Sequence, residues 1–315
     1  MWRLGKKEVR EAMAHKTSIG GQALIEGVMM RGPRRTAMAV WNPGGELIIE
    51  KWPTPGQNKK SILKLPFIRG IFNMIDSLRF GYKCLMRSAE IAGFEEEEKD
   101  GKKQSAVMTL LMTLSTALAI ILSVGLFIYL PAKLYEWVSV SVPFLKTNLG
   151  RSAFEGILRI IIFIAYMLCM LLMKDIRRTF MYHGAEHKTI FCYEAELPLT
   201  VENVRRQRRF HPRCGTSFLI LVLIVGILVS MFIPASVPAL YRTFIKILTI
   251  PVIVGIGYEL IKLAGRKDNI FTKVISAPGL WLQRITTKEP DDKMIEAAIA
   301  AMLEVIPEDK EEDKW

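Results

Sequence analysis

The chain has 315 residues, half of them hydrophobic, with 43 Lys and Arg against 31 Asp and Glu and a formal net charge of +12. Its apolar residues gather in four long runs, which argues against an ordinary soluble globular domain and for a membrane protein. The cations cluster beside those runs, as suits anionic lipid, and no RNA-binding motif accompanies them; membrane lipids, and not nucleic acid, are the expected partners.

The N-terminus, Met1-Trp2-Arg3-Leu4-Gly5-Lys6-Lys7, is basic, but no apolar stretch follows, so no cleavable signal peptide is expected. Residues 1–16 are polar. Residues 19–52 read as a small antiparallel meander of three strands. Its parts are a glycine-punctuated apolar run from Ile19 to Pro33, a strand from Thr36 to Trp41, the turn Asn42-Pro43-Gly44-Gly45, and a returning strand from Glu46 to Trp52. Three strands need a partner to bury a face. Either the next helix or the membrane surface would provide it. Residues 61–92 carry Leu65, Ile68, Phe72, Ile75 and Leu78 among charges, the pattern of an amphipathic helix too polar to cross a bilayer. Glu95-Glu96-Glu97-Glu98 and the lysines after it read as a solvated linker.

Four spans are expected. The first, Ala106 to Leu130, is ended by Pro131, and residues 132–150 form a loop with Tyr135 and Trp137. The second, Ala153 to Met173, carries Glu155 and Arg159 at pairing distance on one helix face. The third runs from Thr216 to Phe232. The fourth runs from Leu240 to Leu263, with Lys246 and Glu259 inside it and Lys262 as a partner for Glu259. The 174–214 loop holds nine Lys and Arg, the 132–152 loop three. The positive-inside rule then puts both termini and the 174–214 loop in the cytoplasm of a multi-pass cell-membrane protein. Residues 291–304 have helical spacing, and the last nine residues are expected to be disordered.

The chemistry-bearing residues sit in that loop. His183 and His187 are four apart, so on a helix they share one face. Glu186 completes His-x-x-Glu-His, the inverted form of a zinc-protease signature. In such a site the histidines hold the metal and the carboxylate takes a proton from water. His211-Pro212-Arg213-Cys214 has the spacing of a metal knuckle, and imidazole and thiolate are both good zinc ligands. The expected metal set is therefore His183, His187, His211 and Cys214, with Glu186 as base and Zn²⁺ or another divalent transition metal as cofactor. Four protein ligands would make a closed structural site. An open position with His211 as third ligand would make a catalytic one. Glu26, Arg31, Glu194, Arg209 and Arg213 are candidates for supporting the ligands or contacting substrate. Cys84 and Cys169 lie in apolar or amphipathic runs and read as packing residues. With Cys192 and Cys214 they show no disulfide spacing, which suits a reducing compartment.

Three segments carry a resemblance to a known family: Gly20-Gly21-Gln22-Ala23 through Glu26-Gly27-Val28-Met29-Met30-Arg31-Gly32-Pro33, Tyr182-His183-Gly184-Ala185-Glu186-His187-Lys188-Thr189, and Arg209-Phe210-His211-Pro212-Arg213-Cys214-Gly215-Thr216-Ser217. The chain resembles the bacterial YqhQ-like membrane proteins, a family of unknown function described as predicted metal-dependent enzymes, over most of residues 18–285. The resemblance implies a bacterial integral membrane protein with Glu26, His183, Glu186, His187, His211 and Cys214 at motif positions, and it supplies no substrate.

The expected fold is mainly α, a polytopic membrane protein with about four transmembrane helices and a small N-terminal antiparallel β meander. A cytoplasmic region, 1–104, precedes a membrane domain, 105–264, which holds the His-rich loop 174–215. A cytoplasmic region, 265–315, follows. The expected function is a metal-dependent hydrolase at the cytoplasmic face, acting on a peptide or lipid-linked substrate. Its rivals are a non-enzymatic scaffold or regulator with a structural zinc, and a transporter using Glu155, Lys246 and Glu259. Composition and spacing do not fix the oligomeric state.

Overall fold

The structure, a computed structural model, describes residues 16–54, 65–94, 102–266 and 269–314. The expected solvated linker lies almost wholly outside them, as does nearly all of the polar N-terminal segment.

The N-terminal sheet has four strands, not three: β1 (Gly20–Leu24), β2 (Gly27–Arg31), β3 (Arg35–Trp41) and β4 (Leu47–Pro53), antiparallel in the order β1-β2-β3-β4. The glycine-punctuated run is itself a hairpin, with Leu24 opposite Gly27 and Gly20 opposite Arg31. Only Ile25 and Glu26 separate its strands, and Glu26 takes a positive φ of 50° to close so tight a turn. At the β3–β4 turn, Gly45 takes the left-handed conformation (φ 81°), and its N–H donates to Asn42 O at 3.0 Å.

Both faces of the sheet are covered by helices of the same chain. Val28, Met30, Ala37 and Ala39 pack against Tyr182, Ala185, Ile295 and Ala298, all fully or almost fully buried. These residues come from α5 (Lys174–Glu194) and α10 (Asp292–Leu303). Met29, Met38 and Val40 point the other way, toward Cys84 of the amphipathic helix α1 (Ile68–Ile91). Side chains alternate across a strand, so a sheet covered twice reads as continuously apolar in β2 and β3. Each buried Val, Ile or Met here contributes roughly 1.5–3 kcal/mol by leaving water.

The remaining helices are α2 (Lys102–Val124), α3 (Leu130–Val138), α4 (Asn148–Met170), the short α6 (Val201–Arg205), α7 (Gly215–Ser230), α8 (Ala239–Arg266) and α9 (Ile270–Thr286). Three stretches are long and apolar enough to cross a membrane: Thr113–Val138, Asn148–Met170 and Ala239–Leu263. The third expected span is a helix of 16 residues, α7. At 1.5 Å per residue it covers about 24 Å, short of a hydrocarbon core of about 30 Å.

Pro131 does not end the first span. The chain passes through one π-helical stretch, Gly125–Tyr129, and continues as α3 to Val138, so Tyr135 and Trp137 are helical. Proline removes the N–H that would bond the carbonyl four residues back, here Phe127 O. Arg159 Nε donates to that oxygen instead, at 2.8 Å. Arg159 therefore does not pair with Glu155, whose partners are Arg151, Arg242 and Lys246. Glu259 is held by Arg69 of α1 (Nε–Oε1 2.7 Å). Cys84 is buried as expected, whereas Cys169 is exposed on α4. The C-terminal segment is also ordered through contacts. Lys310–Asp313 form a 3₁₀ turn, Asp313 is buried, and it accepts from Thr17 Oγ1 at 2.6 Å.

Candidate metal centre

Helix α5 carries His183, Glu186 and His187 at its middle, and burial there is nearly complete from Tyr182 to Glu194. One flank rests on β1. Gly21 permits this, since a Cβ there would stand 2.7 Å from Glu186 Cγ, and its N–H bonds the Glu186 carboxylate. The other flank meets the segment after α9. A Cβ on Gly184 would stand 2.0 Å from Lys288 O. Cys214 arrives as the N-cap of α7, where its sulfur accepts from Thr216 N at 3.4 Å.

These elements bring together His183, His187 and Cys214, whose ligand atoms all lie within 4.8 Å of one another. His183 Nε2 is 3.2 Å from Cys214 Sγ and 3.8 Å from Glu186 Oε2. The tautomers follow from the partners. His183 Nδ1 lies 2.9 Å from Thr286 O and His187 Nδ1 lies 2.5 Å from Arg209 O. A carbonyl only accepts, so each Nδ1 carries a proton, and each Nε2 is the nitrogen that would bind a metal once it is unprotonated. His187 Nε2 is buried and has no hydrogen-bond partner among the described residues. A buried nitrogen lone pair without a donor is costly. Two Nε2 atoms and one sulfur, each backed by a second bond, form a donor set suited to a borderline-soft metal such as zinc.

The charges are coupled. Burial lowers the His183 pKa, but the Cys214 sulfur and then Glu186 outweigh it and raise it to about 9. Burial raises the Cys214 thiol, yet the imidazoles of His187 and His183 hold it well below the ordinary range. Burial pushes the Glu186 carboxyl up, and the neighbouring histidines only partly offset this. A carboxyl held above its ordinary range is poised to take and return a proton.

His211 does not join the set. Its ring packs 5.6 Å from His187 and 4.8 Å from Phe191, and its Nε2 faces Arg213 (3.3 Å) and Glu194 (3.8 Å). Gln283 of α9 fixes its backbone by two 2.7 Å bonds. Burial, with Arg213 and His187 adding to it, depresses its pKa to about 4. Glu194 and Arg213 belong to this second cluster, where Glu194 also accepts from Thr17 N at 3.0 Å. Arg209 pairs with Glu289 at 2.5 Å and reaches the first cluster only through its carbonyl. Glu26 pairs with Arg178 (2.6 Å) and accepts from Tyr182 Oη (3.2 Å), which braces α5 against the β1–β2 turn. Arg31 is half-buried, and the charge acting on it is that of Asp76 of α1. Neither caps the trio.

Sequence reasoning passed over Thr286, Gln283 and Gly21. The first two were discoverable as polar residues in the amphipathic 270–286 stretch, and Gly21 as one glycine among several.

The class defined by these features is a protein of long apolar helices carrying a buried His-Cys-Glu cluster beside a two-faced sheet. Within it, the chain belongs to the family described as protein of unknown function (DUF1385), which matches residues 65–308. It is also 36% identical over 295 residues to the uncharacterized protein YqhQ of Bacillus subtilis (strain 168), covering 91% of this chain and 92% of that protein. No solved structure matches.

Proposed function

We propose that the protein is a metal-dependent hydrolase of the bacterial cell membrane, acting at the cytoplasmic face on a peptide or lipid-linked substrate. His183, His187 and Cys214 would hold a zinc or similar divalent ion, and Glu186 would move the proton. The observation that carries this reading is His187 Nε2, buried without a hydrogen-bond partner among the described residues and beside His183 Nε2 and Cys214 Sγ. A metal held by these three donors, with His211 engaged by Arg213 and Glu194, would keep a fourth position for water or substrate, as a catalytic zinc site requires. When bound, the metal supplies Lewis acidity. Thr286 O and Arg209 O hold the two imidazoles in their binding tautomers. Glu186, raised by burial, accepts a proton from the attacking water and returns it to the leaving group.

The membrane arrangement belongs to the same proposal. Three helices are apolar and long enough, and α7, which packs against α8, would supply the fourth crossing with local thinning of the bilayer to match its shorter length. The excess of Lys and Arg around α5 and α6 supports a cytoplasmic location for the site and both termini.

Elemental analysis of the purified chain is expected to find about one transition metal per chain, lost in His187→Ala. Glu186→Gln is expected to keep the metal while hydrolysis of membrane-extract peptides and lipids, followed by mass spectrometry, falls about 10²–10⁴-fold. A second reading, a structural zinc in a non-enzymatic scaffold, is favoured by the burial of His187 and Cys214, 1% and 8% exposed. Full activity of a metal-loaded Glu186→Gln protein in complementation of a deletion strain would establish that reading over the hydrolase.

A further inference from the structure

At the other end of the apolar helices lies a second buried cluster of charge. Glu155 of α4 accepts from Arg151 Nε at 2.7 Å and pairs with Arg242 at 3.1 Å and with Lys246 of α8. Arg159 lies one turn beyond Glu155 on α4. All five are at most 9% exposed. Cys214 caps one end of α7 and Ser230, whose carbonyl Arg242 binds, ends the other, about 24 Å away at 1.5 Å per residue. This cluster is therefore separate from the His-Cys-Glu site.

The charge does not balance. Four cations surround one carboxylate. Glu136 feels the charge of Arg151, but it pairs with Lys133 at 2.9 Å. An uncompensated buried charge in an apolar setting is expensive and marks a functional site by default. Part of the cluster is structural. Arg242 spends its guanidinium on Glu155, Ser152 and the carbonyls of Ser230, Ile233 and Pro234, which closes the α7–α8 turn. Arg151 Nη1 likewise holds Ala235 O and Val237 O. Arg159 uses only Nε, for the carbonyl freed by Pro131. That leaves Arg151 Nη2 and Arg159 Nη2 buried with no partner among the described residues. Gly226 of α7 faces Arg159, and a Cβ there would be in ordinary contact with Nη1 at 3.9 Å.

We propose that the Arg151–Glu155–Arg159–Arg242–Lys246 cluster binds a phosphate-type oxyanion, from a lipid headgroup or from free phosphate. Excess charge of more than one unit calls for a polyvalent anion or one held by several donors. Planar guanidinium groups suit phosphate oxygens, and spare donors on two arginines provide the contacts.

The test is thermal unfolding of the purified full chain in neutral detergent, with three additions at matched ionic strength: sodium phosphate, sodium chloride, and phosphatidylglycerol against phosphatidylcholine in mixed micelles. The expected result is a rise in Tm with phosphate or with phosphatidylglycerol that chloride and phosphatidylcholine do not give. A response to phosphatidylglycerol alone assigns the headgroup as the source, and a response to inorganic phosphate assigns the free anion. Arg159→Gln is expected to weaken the response at least tenfold in ligand concentration. Because that variant also loses the bond to Phe127 O, Lys246→Met provides a second probe, and Nζ of Lys246 bonds Glu155 alone among the described residues. Without added anion Lys246→Met is expected to melt no lower than wild type, since it removes excess charge, while its response weakens tenfold. No response to either phosphate source, a response equal to that of chloride, or a full response in Lys246→Met would overturn the proposal.

Discussion

His211 shows how much a single side chain depends on its neighbours. By spacing it is a candidate ligand as good as His187, but Gln283 clamps its backbone, and its Nε2 faces Glu194 and Arg213. Its burial has a measurable consequence. The unfolded chain takes a proton on this imidazole near pH 6.5, and the folded chain only near 4. Between those values the unfolded state binds more protons, so stability is fully present above about pH 6.5 and is lost as the pH falls toward 4. The loss is on the order of 3 kcal/mol for a shift of this size. Thermal melts of the wild type are expected to fall across that window, and His211→Asn to remove most of the slope. An unchanged slope would assign the pH dependence elsewhere. The i, i+4 pairing of His183 with His187 was legible because a helix fixes it locally. The direction of His211 was not, because it is set by residues 17 and 72 positions away in the chain.

At the scale of elements, α5 is placed by two close backbone approaches. Gly21 lets β1 lie against Glu186, and Gly184 lets the segment after α9 pass over the middle of the helix, where Lys288 N also donates to Phe180 O at 2.8 Å. A methyl at position 184 would sit 2.0 Å from a carbonyl oxygen, and neither backbone can yield cheaply. Gly184→Ala is therefore expected to cost about 1–3 kcal/mol and to lower Tm. Because Thr286 O orients His183, metal content should fall with it. A variant with unchanged Tm and metal content would show that the contact can relax. Among the strands, only β3 and β4 with the Asn42–Gly45 turn between them were readable, from residue type and turn chemistry. The continuation of the helix through Pro131 was not, since proline reads as a stop unless an outside donor, here Arg159, takes up the freed carbonyl.

For the whole molecule, the sheet unit and the apolar helices join through α5, which only three residues separate from the end of α4. The site and the oxyanion cluster thus lie at opposite ends of the helices. If α4, α7 and α8 cross a bilayer, the two face opposite sides. Exposed Ser141 and Glu202 report on this. In intact cells Ser141→Cys is expected to react with a membrane-impermeant maleimide and Glu202→Cys only after permeabilisation, with the native cysteines as background. The reverse pattern would invert the proposed topology.

The sequence by itself determined the apolar runs, the helix carrying His183 and His187, and the presence of an antiparallel sheet. Each of these depends on periodicity or side-chain type within a short window. Tertiary structure decided which donors converge, why Glu155 is surrounded by cations, that both sheet faces are covered, and that Asp313 is pinned by Thr17 and not disordered. Those outcomes depend on contacts between residues tens to hundreds of positions apart, where burial and hydrogen-bond satisfaction outweigh local preference.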